Sequence, residues 1–346
     1  MPKPKSSPNP NVQIFGAAII LRQLSAMVDE MEGVKKAEDI EAVHRMRVAS
    51  RRLRSALPIF GPFLAPRRHE NWRKRIRAIT RALGAARDTD VQIEHLTELV
   101  SRLTPPERAG VRRLLLRLRQ RRREMQKDVL KALRRLEKDD LVAEITQKLA
   151  PFEIYKNQLD LSDPPLRKLA DEQIQARLDE FLAFEPYVNR PECVSELHAM
   201  RIAGKHLRYT LEFFAPLFED ELKPFIKSLR QCQDLLGAIH DADVWIAYLP
   251  QFIEEERQRT IEYFGHARPF KRLLPGLFYY QKLREEERQN LYQQFVNSWQ
   301  EWQAENLWEN LRRRVAFHLP DSEPDSQATA VSAQTTQPEE KNDGES

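Results

Sequence analysis

The sequence predicts an all-α fold made of two copies of one helical unit. Only 10 of its 346 residues are glycine, long stretches are rich in Leu, Arg, Glu and Gln, and no run of alternating apolar residues indicates a sheet. Two motifs recur: HRMRVASRRLR from His44 returns 154 positions later as HAMRIAGKHLR, and LGAARDTDV from Leu83 returns 153 positions later as LGAIHDADV. Internal similarity at so long a period predicts two pseudo-symmetric antiparallel helical bundles.

The first copy contains five predicted helices, separated by glycines and prolines. From apolar periodicity and these breaks, the helices cover about 14–31, 37–60, 67–83, 89–104 and 107–138. Gly33 interrupts the chain after the first helix, and Gly61-Pro62 stops the second. Gly84 is expected to cap the C-terminus of the third helix, and an aspartate of the Asp88/Asp90 pair to cap the N-terminus of the fourth.

The second copy is expected to repeat this order after a proline-rich connector at about 148–165. Its predicted helices cover about 166–184, 192–217, 219–236, 241–263 and 279–317, with a loop at 265–276 before the last one. Residues 1–12 and the acidic tail 319–346 are too polar to pack and are expected to be disordered. They flank one domain, 13–318, whose repeats cover about 13–148 and 166–318.

Each copy of the first motif predicts a helix with an apolar back and a cationic front. At 100° per residue, His44, Arg47, Arg51 and Arg54 fall within an arc of roughly 80°, while Met46, Ala49, Leu53, Ala56, Leu57 and Phe60 cluster opposite. The second copy keeps both faces, with His198, Arg201, Lys205 and Arg208 in front. In the next helix, Lys74, Arg77 and Arg81 share one side; their counterparts are Lys227, Arg230 and Asp234.

The charge density of the first copy indicates a large anionic ligand. From His44 to Arg87 there are 12 Arg and 1 Lys against Glu70 alone, whereas His198 to His240 holds 6 Lys or Arg against 5 acids. Like charges at i+4 destabilise a helix by a few tenths of a kcal/mol per pair, and a polyanion would offset that. The tail from Asp321 carries a net charge of −6. Because the net charge of the whole chain is +4, residues 1–320 carry +10. We expect the first copy to supply more of the attraction.

The paired His-x-x-Arg-x-x-x-(Arg/Lys)-x-x-Arg helices, each followed by Leu-Gly-x-x-(Arg/His)-Asp-x-Asp-Val, resemble those of the CHAD family, the conserved-histidine α-helical domains. The resemblance covers about residues 14–317 and implies a basic groove or pore between the two bundles that binds inorganic polyphosphate. The contacts it implies are His44, Arg47, Arg51, Arg54, His198, Arg201, Lys205 and Arg208, with Lys74, Arg77, Lys227 and Arg230 as additional candidates. Arg52 and its counterpart His206, and Arg81 opposite Asp234, complete the predicted site.

Three other functions stay open at this point. A nucleic-acid binder fits the basic face, but the cationic arcs are expected to lack the aromatic residues that stack on bases. A phosphohydrolase could use His44 or His198, with a metal at the Asp-x-Asp pairs, although one Asp of each pair is more simply a helix cap. A scaffold role could involve Trp302 and Trp308, which we expect to lie in the core.

We therefore predict a binding protein without catalytic residues, cofactor or metal. Neighbouring cations should lower the pKa of His44 and His198, and a bound polyanion should reverse this, so binding should tighten at mildly acidic pH. Cys193 and Cys232 are expected to be reduced thiols. No signal peptide, membrane span or triphosphate-processing CYTH domain is apparent, which predicts a stand-alone cytoplasmic protein, with polyphosphate granules as one location open to it.

Overall fold

The chain folds into α-helices, as predicted, and no strand occurs in the described residues. A computed structural model describes residues 9–36 and 40–317; most of the N-terminal extension and the whole predicted tail, 319–346, lie outside these ranges. The α-helices are α1 (Pro10–Asp29), α2 (Met31–Lys36), α3 (Ile40–Leu64), α4 (His69–Arg102), α5 (Glu107–Lys138), α6 (Leu141–Glu153), α7 (Pro164–Leu182), α8 (Val194–Phe214), α9 (Lys223–Phe264), α10 (Leu274–Ala304) and α11 (Leu307–Val315).

The predicted breaks within the second motif of each copy are wrong. Helix α4 runs without interruption through Gly84 and Asp88, and α9 through Gly237 and Asp241. Neither glycine is a C-terminal cap, and neither aspartate begins a helix. A single glycine inside a helix costs only about 1 kcal/mol, which the continuous buried face of α4 outweighs.

Other helix ends differ by smaller amounts. Helix α1 begins at Pro10, before the predicted residue 14, because the Asn9 side chain accepts a hydrogen bond from the Val12 N–H at 3.2 Å. Helix α3 continues past Gly61-Pro62 to Leu64. The predicted last helix is two helices, α10 and α11, because Asn306 adopts a left-handed backbone with φ 50°.

The two halves pack their helices in the same order. In the first half α1 packs on α3, α3 on α4 and α4 on α5; in the second, α7 packs on α8, α8 on α9 and α9 on α10. This shared order agrees with the predicted two-fold relationship, while an origin by duplication stays a prediction.

A main core joins the halves into one packed unit. The Phe15 ring stacks on Phe214 with centroids 5.9 Å apart, and Phe60 lies 6.4 Å from Phe213 and 5.5 Å from Phe214. The predicted apolar backs of α3 and α8 are buried in this core, as are Trp302 and Trp308. Burial of each such side chain stabilises the fold by about 1.5–3 kcal/mol, so the fronts of both helices are held in place.

A distal core joins the halves a second time, between α4, α5, α9 and α10. Here α5 and α10 cross at two glycines: a Cβ on Gly110 would lie 2.2 Å from the Leu273 carbonyl oxygen, and one on Gly276 would meet the Glu107 carbonyl. No side chain fits at either position. The halves therefore meet at two places, and the repeated motifs lie between them.

One stretch is long and apolar enough to cross a membrane by composition, contrary to the sequence prediction. It is Pro10–Lys36, and 56% of its most apolar window is buried inside the protein. Its apolar side chains, including Phe15, Ile20 and Met27, lie in the main core.

Candidate anion-binding site

A cleft of about 610 Å³ opens where α3 and α4 of the first half face α8 of the second. We call it the α3–α8 cleft. Five of the predicted site residues line it: Arg47, Arg51, Arg54, Lys205 and His206. Because the opposite faces of α3 and α8 are buried, these cations point into the cleft and not into the core.

Three of these cations are half-buried and have no carboxylate partner in the described part of the chain. They are Arg51 and Arg54 from α3 and Lys205 from α8. The acids closest to them are already paired: Glu70 Oε2 accepts from Arg73 Nη2 at 2.9 Å, and Asp88 Oδ1 from Arg47 Nη2 at 3.1 Å. The free cleft therefore carries a net positive charge.

Lys205 is the cleft cation whose pKa is lowered the most. Burial, and then the charges of Arg51 and Arg201, lower the pKa of its ammonium from 10.5 to about 7. Burial is also the main reason why the pKa values of Arg51 and Arg54 are lowered, and Arg77 adds to the effect at Arg54. A cationic cluster of this kind is relieved by any anion that enters it.

The glycine of each repeated motif packs against an arginine side chain. A Cβ on Gly84 would lie 3.6 Å from Arg47 Nε, and one on Gly237 would lie 3.5 Å from Arg201 Nε. Each arginine thus lies against the helix that follows it, in the same way in both halves.

The motif aspartates approach each other where the halves meet. Burial raises the pKa of Asp241, Arg201 lowers it, and the charge of Asp88 from the other half raises it again. The motif side chains Arg47, Asp88, Arg201 and Asp241 therefore lie near one another, at the centre of the repeated motifs.

The motif histidines lie beside this centre. Burial lowers the pKa of His44 and of His198, with Arg87 the next cause for His44 and Arg201 for His198. The direction agrees with the prediction, although burial and not cationic repulsion is the larger cause. The His198 ring lies 4.0 Å from that of His240, and burial followed by His198 lowers the pKa of His240 to about 4.

Glu212 holds three of the predicted cations away from the cleft. Its carboxylate pairs with Arg52 at 2.5 Å, Arg208 at 2.6 Å and Arg230 at 3.3 Å, and only 13% of its side chain is exposed. Arg208 and Arg230 belong to the second copy, so its cationic face is partly neutralised from within. At 100° per residue Glu212 falls on the cationic arc of α8, where it was overlooked.

The remaining predicted residues spread over neighbouring surfaces. Arg77 and Arg81 are exposed on α4, and their charges act on Arg54. Lys74 is exposed beside Glu70. Lys227 lies in a separate hollow with Asp234 and is not brought to the cleft.

Sequence reasoning missed Tyr209, Arg73 and Arg177, which also line the cleft. The Tyr209 ring is buried, and the guanidinium carbons of Arg51, Arg52 and Arg208 lie 5.8, 5.8 and 4.8 Å from its centroid. The cationic arc of α8 itself contains no aromatic residue, as expected, because Tyr209 falls about 20° beyond its edge at His198. Cation–π contacts of this kind hold arginines in place.

The second aspartate of each pair is bound to an arginine of the next helix. Asp90 Oδ1 accepts from Arg122 Nε at 2.7 Å, and Asp243 Oδ1 from Arg288 Nε at 2.5 Å. These carboxylates fasten α4 to α5 and α9 to α10. Within residues 9–36 and 40–317, no three His, Cys, Asp or Glu side chains are grouped closely enough to share a metal ion.

Comparison with known proteins supports a single family. The family model described as the CHAD domain matches residues 18–250, which include both copies of the motifs. No curated protein matches the chain significantly.

Two solved structures share the fold. The CHAD domain from the plant Ricinus communis is 21% identical with a TM-score of 0.58, and the match covers 88% of this chain and 91% of that one. PptA from Streptomyces chartreusis is 17% identical with a TM-score of 0.55, covering 85% of this chain and all of the other. At these identities the likeness establishes the fold alone.

Proposed function

Because this chain belongs to the CHAD family, we propose that it binds inorganic polyphosphate in the α3–α8 cleft and does not act on it as an enzyme. One observation carries the proposal: Arg51, Arg54 and Lys205 converge on one cleft without a carboxylate partner in the described chain. Burial and neighbouring cations lower the pKa of all three side chains, and a bound anion would oppose this shift.

Phosphate is the anion that this set of donors suits best. A guanidinium offers several N–H donors in a plane and binds phosphate oxygens in pairs, while the Lys205 ammonium adds a point charge. Entry of phosphoryl groups would raise the pKa of Lys205 toward its ordinary range, so binding and protonation strengthen each other.

A polymer fits better than a single phosphate because the cations extend beyond the cleft. Arg201 lies outside the cleft lining, against Gly237 of α9, and Arg77 and Arg81 continue along the exposed face of α4. A flexible chain with about one charge per phosphate can contact these positions in sequence and release its counterions.

The cleft gives less support to the two rival functions. Bases would need exposed rings, whereas Tyr209 is buried beneath the guanidiniums and is only 3% exposed. A hydrolase using the Asp-x-Asp pairs would need free carboxylates, but Asp90 and Asp243 hold Arg122 and Arg288. By the same proposal the protein acts in the cytoplasm, where polyphosphate is its partner.

The test compares two variants that lose the same charge. Arg51→Gln/Lys205→Gln removes two cleft cations, and Lys148→Gln/Lys168→Gln removes two exposed lysines elsewhere. Calorimetry with long-chain polyphosphate should show at least about a tenfold loss of affinity for the cleft variant and little change for the control. Pyrophosphate and polyglutamate should compete poorly. Equal losses in both variants, or phosphate release from polyphosphate by the wild type with Mg²⁺, would refute the proposal.

A further inference from the structure

The hairpin between α9 and α10 carries an unusual set of exposed aromatic rings. Tyr263 is 83% exposed, Phe264 53%, Phe278 55% and Tyr279 40%. Among the other aromatic side chains that the structure describes, only Tyr155 is comparably exposed. The Tyr263 and Phe264 rings are in contact, with centroids 4.7 Å apart, and Phe278 and Tyr279 lie in the first turns of the helix that follows. Exposed apolar groups of this kind mark interaction sites. We call residues 263–282 the aromatic hairpin.

The hairpin is a firm platform, because its other apolar residues are anchored. Phe270, Leu277 and Tyr280 are buried in the distal core, and Leu273 and Leu274 pack against it. Gly265, with φ 77°, ends α9 and turns the chain. The aliphatic side chains thus face inward, and flat aromatic rings are left on the outside.

The charge of the hairpin is positive and largely uncompensated. No acidic residue occurs between Glu262 and Glu285. Arg268, Lys271 and Arg272 are exposed and form no ion pair in the described chain.

Most nearby acids on the two helices are already paired. Glu254 pairs with Arg257 and Glu255 with Arg259 on α9. On α10 Glu286 pairs with Lys282. Glu262 and Glu285 accept hydrogen bonds from neutral glutamine side chains one turn away, and so keep their negative charge at the two edges of the hairpin. The rings are therefore accompanied by three free cations.

We propose that the aromatic hairpin binds single-stranded nucleic acid, with bases stacked on the exposed rings and phosphates held by Arg268, Lys271 and Arg272. Base stacking on aromatic side chains beside a basic surface is the usual basis of sequence-tolerant single-strand binding. Aromatic rings beside cations also occur at lipid interfaces, and anionic vesicles in the test below distinguish that case. A second copy of the chain would bring the same three cations against their own kind.

This site is separate from the α3–α8 cleft and does not depend on its function. The cleft lies beside the main core, whereas the hairpin is anchored in the distal core. A protein with an impaired cleft should therefore keep its affinity for a single strand.

Fluorescence anisotropy of a labelled oligouridine with the full chain tests the proposal. The Tyr263→Ala/Phe278→Ala variant should bind at least about tenfold more weakly than the wild type, since each stacked base contributes about 1–3 kcal/mol. Tyr155→Ala, a matched exposed ring on another surface, should bind normally, and so should the cleft variant Arg51→Gln/Lys205→Gln. Both alanine variants should melt like the wild type, because the replaced rings are exposed.

Several results would overturn the proposal. They are the absence of oligouridine binding by the wild type, equal binding by the hairpin variant, and a loss confined to the cleft variant. Anionic phospholipid vesicles provide a further arm. If they bind the hairpin and oligouridine does not, the surface is a membrane contact. Self-association of the wild type that the hairpin variant abolishes, without oligouridine binding, would assign it to a second copy.

Discussion

The two halves share their helix packing but differ in how their cations are balanced. At equivalent positions the first half has Pro58, Arg81 and Arg87 where the second has Glu212, Asp234 and His240. Glu212 pairs with Arg208 and Arg230 of the second half and with Arg52 of the first. Arg51 and Arg54 of the first half stay unpaired. The same scaffold can therefore present an anion-binding face on one side and an internally neutralised face on the other.

The two halves therefore contribute different kinds of cation to the cleft. The first half supplies two guanidiniums that keep their charge at any physiological pH. From the second half comes Lys205, whose pKa of about 7 leaves it partly neutral. The halves should therefore respond differently to substitution, to pH and to the loss of Glu212.

The largest expected effect comes from removing the unpaired cations of the first half. Arg51→Gln/Arg54→Gln should weaken polyphosphate binding about a hundredfold or more, because each charged hydrogen bond contributes about 1.5–3 kcal/mol. Arg208→Gln, the equivalent of Arg54→Gln, should change affinity little, since Glu212 already occupies its guanidinium. Calorimetric titration of the wild type and the two variants with polyphosphate measures these affinities. A comparable loss of affinity in both variants would contradict the proposed asymmetry.

Removing the internal counter-ion should make the halves more alike. Glu212→Gln frees Arg52, Arg208 and Arg230, so polyphosphate affinity should rise several-fold and become more salt-dependent. The free energy of unfolding should fall by about 2 kcal/mol, because half-buried guanidiniums lose their partner.

Glu309→Gln is the matched control for the counter-ion, since Glu309 pairs with Arg312 and Arg313 at an exposed helix. It should alter neither affinity nor stability by much. Weaker binding by Glu212→Gln in a folded protein would mean that this carboxylate supports the site by positioning its arginines.

The pH dependence of binding should come mainly from the second half. Bound phosphate favours charged Lys205, so affinity should fall as pH rises above 7, by at most about tenfold per pH unit for one proton. Lys205→Arg should bind with little change between pH 7 and about 9. A wild-type affinity that is flat in this range would contradict the assignment.

Stability of the free protein should change with pH in the opposite sense. The folded pKa of Lys205, about 7, lies below its unfolded value of 10.5, so the unfolded chain binds more protons between these values. The free energy of unfolding should therefore rise with pH in that window, and Lys205→Arg should lack this rise. Denaturant titrations at several pH values measure it.

The smallest effects separate two kinds of glycine. Gly84→Ala should raise stability by about 0.5–1 kcal/mol and leave binding intact, because its Cβ would lie 3.6 Å from Arg47 Nε in ordinary contact. Gly110→Ala should destabilise the protein, because its Cβ would meet the Leu273 carbonyl at 2.2 Å. Thermal melts of both variants test this; a destabilised Gly84→Ala would mean that Arg47 cannot adjust.

Local patterns in the sequence were sufficient for the fold class and for the orientation of α3 and α8. The 3.6-residue period separates Met46 and Leu53 from Arg47 and Arg54, and burial follows it. Helix continuity was missed at Gly84, because a glycine before an aspartate pair is also a frequent helix end. Packing of the buried face of α4 keeps the helix continuous through Gly84.

The parts of the site that sequence reasoning missed depend on contacts between distant residues. Arg52 meets Glu212 across 160 positions, and Arg177 reaches the cleft from α7. No spacing rule predicts such pairs. By contrast, Glu212 could have been found, because it lies on the cationic arc of its own helix, and Tyr209 lies just beyond the edge of that arc.

The salt dependence of polyphosphate affinity tests the central claim most directly. Plotting the logarithm of affinity against that of salt concentration should give a slope whose magnitude falls by about two in Arg51→Gln/Arg54→Gln/Lys205→Gln, at roughly 0.7 per lost phosphate contact. Lys127→Gln/Lys148→Gln/Lys168→Gln, with the same net charge, should keep the wild-type slope. An unchanged slope in the cleft variant, or equal slopes in the two variants, would show that polyphosphate binds elsewhere.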